Sequence, residues 1–387
     1  MGREHAAIRP QSTLSARDAA RERWDAIVIG AGPAGCVAAH ELARGGRRTL
    51  LVDRAAPPRG KVCGCCLAPD GVQRLGRLGL DGVLEGAEAV RSIELRSGSS
   101  CAVVRREGYA VLSREALDAR LAAAAIEAGA RAAWRVSASV HPDGLVRLRS
   151  AEGDVAVRAA AVIAADGVNG SSLRDVPEMA PRVARRSLQG AGARLEADTV
   201  AIEPGGLMMA TAREGYVGLV RLEDGRLDAA AALRPGAMRQ AGGPGALAAR
   251  VLESCGIPAD GVRRARWRGT ALLTRRRRAA CGRVFAVGDA AGYAEPLTGE
   301  GMSWAIESGE AIARALLDRP VGAVGLDQLW RRRHATLRRR QRLCRGVCAA
   351  ARSPAIVRGV CGLAARRPSV AERLASFVGR PASGAAS

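Results

Sequence analysis

The sequence predicts a mixed α/β fold: a parallel-sheet domain interrupted by an inserted β-sheet and followed by C-terminal helices. Three observations predict it. The apolar run Ala26–Ile29 leads directly into the glycine pattern Gly30-x-Gly32-x-x-Gly35, as a buried parallel strand leads through a tight turn into a helix. Two further apolar runs end beside glycine in an acid, at Asp166-Gly167 and at Gly288-Asp289. Residues 181–264 instead break into short apolar stretches between glycines, with Gly192–Leu195, Tyr216–Arg221 and Leu227–Leu233 the expected strands.

Each glycine of the first motif has a physical reason. Gly30 permits the tight turn, Gly32 lets a pyrophosphate approach the backbone, and Gly35 allows close helix–strand packing. The alanine-rich helix that follows ends at Gly45-Gly46, and its N-terminus offers free amides and a positive dipole to phosphates. A second strand, Thr49–Val52, ends at Asp53, 21 residues after Gly32, where a ribose hydroxyl is held. Strand, helix and acid together predict a Rossmann-like dinucleotide cradle, which alone does not separate NAD from FAD. Ser113–Ala128 reads as a helix capped by Ser113 and stopped by Gly129.

Beyond Asp289 the chain runs through Pro296 and Gly299 into a helix at Gly301-Met302, with Ile306, Ile312 and Leu316 at helical spacing and Pro320 as the stop. This suits a flavin. Asp289 is placed to hydrogen-bond a ribityl hydroxyl, and the Gly299–Met302 amides present a positive helix end to the isoalloxazine pyrimidine edge. The other reading is a strand–loop–helix crossover whose glycines only make a turn.

On these residues the sequence resembles the flavoproteins of the para-hydroxybenzoate hydroxylase fold group, and within it the geranylgeranyl reductase-like branch. The matching parts are GAGPAG at 30–35, Asp53, KVCG at 61–64, SREALDARL at 113–121, ADG at 165–167 and GDAAGYAEPLTGEGM at 288–302. The resemblance implies FAD contacts at Ala34, Asp53, Cys63, Gly64, Arg114, Asp289, Gly301 and Met302. It also implies a cofactor domain of 24–180 with 265–325, and a β-rich insert of 181–264 that roofs the flavin and supplies the substrate pocket. Two departures stand out. The D-G-x-x-S-x-x-R pattern is one residue longer, with Asn169-Gly170 before Ser171. Gly215–Arg221 occupies the place of the reductases' aromatic Y-x-W-x-F-P stretch, without its tryptophan, phenylalanine and proline. The tryptophan-rich motif and essential lysine of the related halogenases are not visible.

Lys61-Val-Cys63-Gly-Cys65-Cys66 is the most unusual local chemistry. No second cysteine pair stands at zinc spacing, so no metal site is expected. Cys63 is the candidate to line the active site and assist protonation. A redox dithiol of Cys63 and Cys66, or small residues in a loop folded against the flavin, are the alternatives. Lys61 either helps hold a phosphate or an anionic flavin, or is exposed. His5, His40, His141 and His334 show no ligand spacing and are expected on the surface or in loops.

Composition bounds the rest. Against 38 acids stand 60 bases, for a net charge of +22, and Lys61 is the only lysine. Residues 331–387 hold fourteen arginines and one acid, Glu372. Basic amphipathic helices are expected over 326–387, with Leu326, Trp330, Leu337, Cys344 and Val347 inward; Cys344 and Cys348 pack in that seam. The outward arginines are either solvated or meet an acidic carrier protein or a membrane surface. With ten aromatics in 387 residues, base stacking is disfavoured and no nucleic-acid partner is expected. Residues 1–23 read as a flexible leader without a signal-peptide core, and the longest uncharged run is too short to span a bilayer. A cytoplasmic protein is expected, with peripheral membrane contact through the arginines as the variant.

The expected activity is that of an FAD-dependent oxidoreductase on a hydrophobic or aromatic small molecule, with NADPH a candidate electron donor. In the first reading, hydride transfer reduces or forms a carbon–carbon double bond. A monooxygenase hydroxylating an aromatic or polyketide-like substrate would share the cradle. A basic binding protein on a flavin-type scaffold is the reading from another class.

Overall fold

A computed structural model of the chain describes residues 8–141, 143–294, 299–351, 353, 355–357, 359 and 362. The elements that position the site are, in chain order, β1 (Trp24–Ile29), α1 (Pro33–Arg44), β2 (Thr49–Asp53), β3 (Glu88–Ser97), β4 (Ser100–Val111), α2 (Arg114–Glu127), β5 (Gly153–Ala164), β6 (Gln189–Leu195), β7 (Gly206–Ala212), β8 (Gly215–Arg221), β9 (Leu227–Leu233), β10 (Val284–Ala286), α3 (Gly301–Leu317) and α4 (Leu326–Ala351).

The first sheet runs Ala280–Cys281, β10, β5, β1, β2, Arg131–Trp134, and its central pairs are parallel. Ile27 lies opposite Leu50 on one side and Val162 on the other. Parallel strands need both faces covered, so they are apolar throughout rather than alternating. On one face Val28 packs with Val37 of α1, Leu117 of α2 and Ile306 of α3. On the other, Ile27 packs with Val146 and Leu148 of a hairpin, Ser137–Val140 with Leu145–Ser150. Glycine sets how closely α1 can sit. A Cβ on Gly35 would overlap the Gly30 carbonyl oxygen, and one on Gly309 of α3 would overlap that of Ala34.

The second sheet runs Arg268–Leu272, β6, β9, β8, β7, β3, β4, Cys66–Leu67. Val217, Leu219 and Ala229 turn one face onto the helices Pro235–Ala241, Pro244–Glu253 and Asp260–Arg264. Residues two apart on a strand share a face, and register places two rows across the other side. One row is Gly192, Ala230, Gly218, Met209, Leu95, Ala102; its neighbour is Arg194, Asp228, Val220, Leu207, Ile93, Val104. The two rows cross six strands as one strip, the trough, with small residues at its Gly192 end and apolar residues continuing beyond the Arg194–Asp228 ion pair.

Several sequence expectations need correction. Residues 8–20 of the supposed flexible leader are docked: the Thr13 amide donates to the Ala132 carbonyl, the Trp134 indole to that of Pro10, and Leu14, Ala16 and Ala19 are buried. So few apolar residues carry no periodicity to read. The 181–264 insert holds helices over its last thirty residues, and its sheet also takes β3 and β4 from the 24–180 segment. A strand pairing so remote in sequence leaves no local signal. His40 and His334 are buried rather than exposed. His40 bonds Glu41 at 2.9 Å, while burial and Arg338 push the His334 pKa down to about 4.

Leu326 and Trp330 of α4 do face inward, Leu337 is half-buried, and Arg332 and Arg333 are exposed. The side chains of Cys344, Val347 and Cys348, like the whole of His5, lie outside the described residues. Among the described residues no helix is long and apolar enough to cross a membrane. Trp330 is fully buried, and its indole Nε1 donates to the Ala286 carbonyl at 3.0 Å, tying α4 to β10. Trp330→Ala should therefore cost about 3–5 kcal/mol, read from the denaturant midpoint; an unchanged midpoint would show that α4 does not brace the sheet.

Candidate cofactor and active site

The N-terminus of α1 is open. Gly32 is its N-cap and makes no side-chain cap bond, and Pro33 fills the first turn, so the remaining amides are available to an anion. A Cβ on Gly32 would stand 3.6 Å from Lys61 Nζ and 3.7 Å from an Arg114 guanidinium nitrogen. The same Nζ would lie 3.9 Å from a Cβ on Gly167. Two cations therefore lean over one helix end, and the only lysine of the chain is one of them. Burial, with Arg114 and Arg59 nearby, lowers the Lys61 pKa. Gly30 sits at φ 108°, where a Cβ would stand 2.5 Å from the Ala165 carbonyl oxygen.

From the end of β2 runs a chain of alternating charges. Asp53 accepts hydrogen bonds from the Ala31 amide at 2.7 Å and the Ala55 amide at 3.0 Å. Arg59 pairs with Asp53 at 2.5 Å and with Asp118 at 3.0 Å. Arg114 grips Asp118 through two bonds of 2.9 and 2.8 Å, and also hydrogen-bonds Cys63. Burial opposes the charge on Asp53, but Arg59 and the two amides still hold its pKa below the usual range. Burial likewise opposes Arg114, yet Asp118 and Cys63 keep it firmly protonated.

Cys63 joins this chain to a second one. A hydrogen bond from the Cys65 thiol, helped by Arg114 and opposed by burial, pulls the Cys63 pKa down to about 5; the same bond and burial push Cys65 up. Cys65 holds φ 51°, a left-handed conformation that costs a non-glycine residue about 1–3 kcal/mol. Its sulfur lies 3.8 Å from Arg194, which pairs with Asp228 at 2.7 Å and Glu115 at 2.8 Å. Burial raises Asp228 to about 7 against the pull of Arg194. The sulfur pairing is thus Cys63 with Cys65, not the Cys63–Cys66 dithiol of the C-x-x-C reading. Cys66 belongs to a short strand beside β4, and burial pushes its pKa up to about 12.

The remaining loops close around this junction. A Cβ on Gly64 would meet that of Ala230 at 3.9 Å, and one on Gly192 would meet Val62 at 3.2 Å, so the cysteine loop lies on the trough. Gly299 brings the start of α3, Gly301 and Met302, beside Cys66: its Cβ would stand 3.4 Å from the sulfur. Gly288 sits against Ala34, where a Cβ added to it would stand 3.0 Å from the Ala34 Cβ, and places Asp289 next to the cradle. Burial raises Asp289 to about 6, against Arg114 and Lys61. Asp166 accepts from the Ser172 amide at 2.8 Å and is raised by burial. Pro296 lies outside the described residues.

These groups fit a dinucleotide. The open helix end with two cations suits a pyrophosphate. Buried Asp166 Oδ1, Ser172 Oγ and Arg277 Nε also lack a protein partner, as polar groups do beside a bound polar molecule. A cavity of about 280 Å³ lined by Asp25, Phe285, Leu316 and Leu326 sits instead at the start of the parallel strands, away from the carboxyl ends where such sheets bind ligands. It contains none of the candidate residues.

Arg59, Asp118, Arg194, Asp228 and Arg277 were not among the sequence candidates. Only Asp118 carried a signal, four residues after Arg114 on one helix face. The others meet their partners through register and loop geometry.

Fold and site define an FAD-dependent oxidoreductase. A family model described as FAD binding domain matches residues 23–190. Menaquinone reductase of Mycobacterium tuberculosis is 30% identical over 349 residues, covering 79% of this chain and 78% of that protein. Digeranylgeranylglycerophospholipid reductase 1 of Methanopyrus kandleri is 36% identical over 168 residues, 41% of this chain and 44% of that one. The crystal structure of a geranylgeranyl bacteriochlorophyll reductase-like protein from Thermoplasma acidophilum superposes with TM-score 0.72 at 20% identity, covering 92% of this chain and 99% of its own. The chain belongs to the flavoproteins of the para-hydroxybenzoate hydroxylase fold group, in their geranylgeranyl reductase-like branch.

Gly32→Val should abolish FAD retention, read as flavin absorbance per protein; normal occupancy would refute the cradle. In the apoprotein, Asp289 has a folded pKa of about 6 against 3.8 unfolded, so it favours folding below pH 4 and loses that contribution as pH rises through 6. Relative to Asp289→Asn, the wild-type apoprotein should lose up to about 3 kcal/mol between pH 4 and 7. Parallel stability curves would contradict this.

Proposed function

We propose that this protein reduces a carbon–carbon double bond in a long isoprenoid chain, with the substrate drawn from prenylated quinones or prenyl lipids. The observation that carries the reading is the trough. Its small-residue end, at Gly192 and Ala230, lies under the Val62–Gly64 loop, and its half-buried Leu207, Ile93 and Leu95 continue an apolar path across the sheet. Six strands at about 4.8 Å spacing give it a length of about 24 Å, which suits a linear apolar chain better than a compact ring. The names of the related reductases agree with such substrates.

The lost aromatic stretch supports the same geometry. Tyr216, Gly218 and Val220 share the trough face, so glycine and valine leave room where the reductases carry tryptophan and phenylalanine. Met209 uses part of that room: a Cβ on Gly218 would stand 2.9 Å from its sulfur. A flexible thioether can move aside for a ligand.

When bound, FAD supplies hydride chemistry in this reading, with NADPH as the donor that reduces it. The protein's residues do the rest. Lys61, Arg114 and the α1 amides hold the pyrophosphate; Asp53 and Asp289 orient the sugar and ribityl hydroxyls; the trough excludes water from the double bond. Cys63, held as a thiolate by Cys65 and Arg114 at neutral pH, lines the site at the junction of loop and trough. The exposed arginines of α4 meet anionic lipid headgroups, where an isoprenoid substrate resides.

The test is an anaerobic single turnover with dithionite-reduced protein and a menaquinone carrying an isoprenoid tail. The tail should gain two hydrogen atoms, seen by mass spectrometry. Product formed only in air, with labelled oxygen incorporated, would replace the reductase by a monooxygenase.

A further inference from the structure

The trough has two ends. At the near end the Cys63–Gly64 loop rests on Ala230. At the far end Ala102 of β4 pairs with Leu95, and among the described residues the next strand, Cys66–Leu67, joins β4 only at Ala110 and Val111, away from Ala102. An apolar path that simply ran off this edge would accept a chain of any length. It does not run off. Val357, from the arginine-rich C-terminal region, is 1% exposed and packs on Ala102, with Leu95 against the same cluster. Its amide donates to the Ser353 carbonyl at 3.0 Å, which fixes it in a turn, while its neighbour Ile356 is 49% exposed and points away.

Leu95 links this plug to the trough. It packs both on Ala102 with Val357 and on the cluster of Met209, Tyr216 and Ala232. Leu207 and Ile93 in turn pack beside Cys63 and Val220. The contacts therefore run without a polar break from the cysteine loop to Val357.

We propose that Val357 is the distal stop of the trough and sets the longest isoprenoid chain the site accepts. This rests on the reading of the trough as the substrate site. An apolar chain entering past Leu207 and Leu95 meets the Val357 side chain in line with the row. A chain that ends before it is fully buried; a longer one must displace the C-terminal turn. Val357 is thus a specificity-determining residue contributed by a segment far from the flavin machinery in sequence.

The experiment uses the FAD-loaded full-length protein and calorimetric dissociation constants for farnesol and the longer geranylgeraniol. Val357→Trp should weaken geranylgeraniol binding by about tenfold and farnesol by less than about twofold. Val357→Ala should tighten geranylgeraniol and leave farnesol unchanged, and it carries the test if the tryptophan variant does not fold. Ile356→Trp, on the exposed side of the same turn, should move neither. Equal shifts for both alcohols, or none in either Val357 variant, would overturn the stop. Wild type that binds geranylgeraniol with the predicted Val357 effects, yet reduces no isoprenoid, would overturn the reductase reading alone. Wild type that binds neither alcohol would overturn both.

Discussion

The structure depends on a buried carboxylate, Asp118, held between two guanidinium groups. It is fully buried, and Arg59 and Arg114 both bond its Oδ2, Arg114 reaching Oδ1 as well. Desolvating three charges is costly, and removing one partner of a buried pair leaves an uncompensated charge worth about 3–5 kcal/mol of destabilisation. The arrangement persists because each charge has neighbours of opposite sign: Asp53, Arg59, Asp118, Arg114, then the Cys63 sulfur. Its consequence is positional. Arg114 is held over the α1 N-terminus by Asp118, and Arg59 fixes the loop that delivers Lys61 to the same point. Two cations, Lys61 and Arg114, are thus kept over the open end of α1.

The second consequence is that the two sheets are joined electrically as well as by packing. The chain from Asp53 ends at Cys63; the one from Asp228 and Arg194 begins at Cys65; a sulfur–sulfur hydrogen bond connects them. The strained backbone at Cys65 is what turns its thiol toward Cys63 within a three-residue span. The cradle and the second sheet therefore share one junction, and the loop that carries it also lies against Ala230. One short loop is thus held under constraint from both sheets.

How much of this was legible beforehand follows from the range of the interactions. The cradle glycines, Asp53, Asp289 and the Ser113-capped helix were legible because their logic is local: a turn, a cap and a strand end. Cys63 stood out by its company, although its partner proved to be Cys65. Arg59 and Arg194 were not legible, since fifty-nine arginines offer no contrast and only tertiary placement distinguishes these two. The trough was hidden for a different reason. Its rows exist only once six strands are in register, and two of those strands come from before α2. Even the departure at Gly215–Arg221 reads differently in the fold: along the chain it is a missing aromatic motif, and across the sheet it is a position that Met209 packs against. The basic C-terminal region shows the same shift, because Trp330 and Val357 are buried against the two sheets rather than lying in a solvated tail.

In the proposed site, Lys61, Arg114 and the open end of α1 recognise the cofactor through its pyrophosphate. Parallel titration of the apoprotein with FAD and with riboflavin, followed by flavin fluorescence, tests it most directly. The account predicts tight FAD binding that weakens with added salt, and riboflavin binding weaker by at least about a thousandfold, as loss of several charge-assisted contacts implies. Comparable affinity for the two flavins would contradict it, because the pyrophosphate and the charges arranged around it would then contribute nothing.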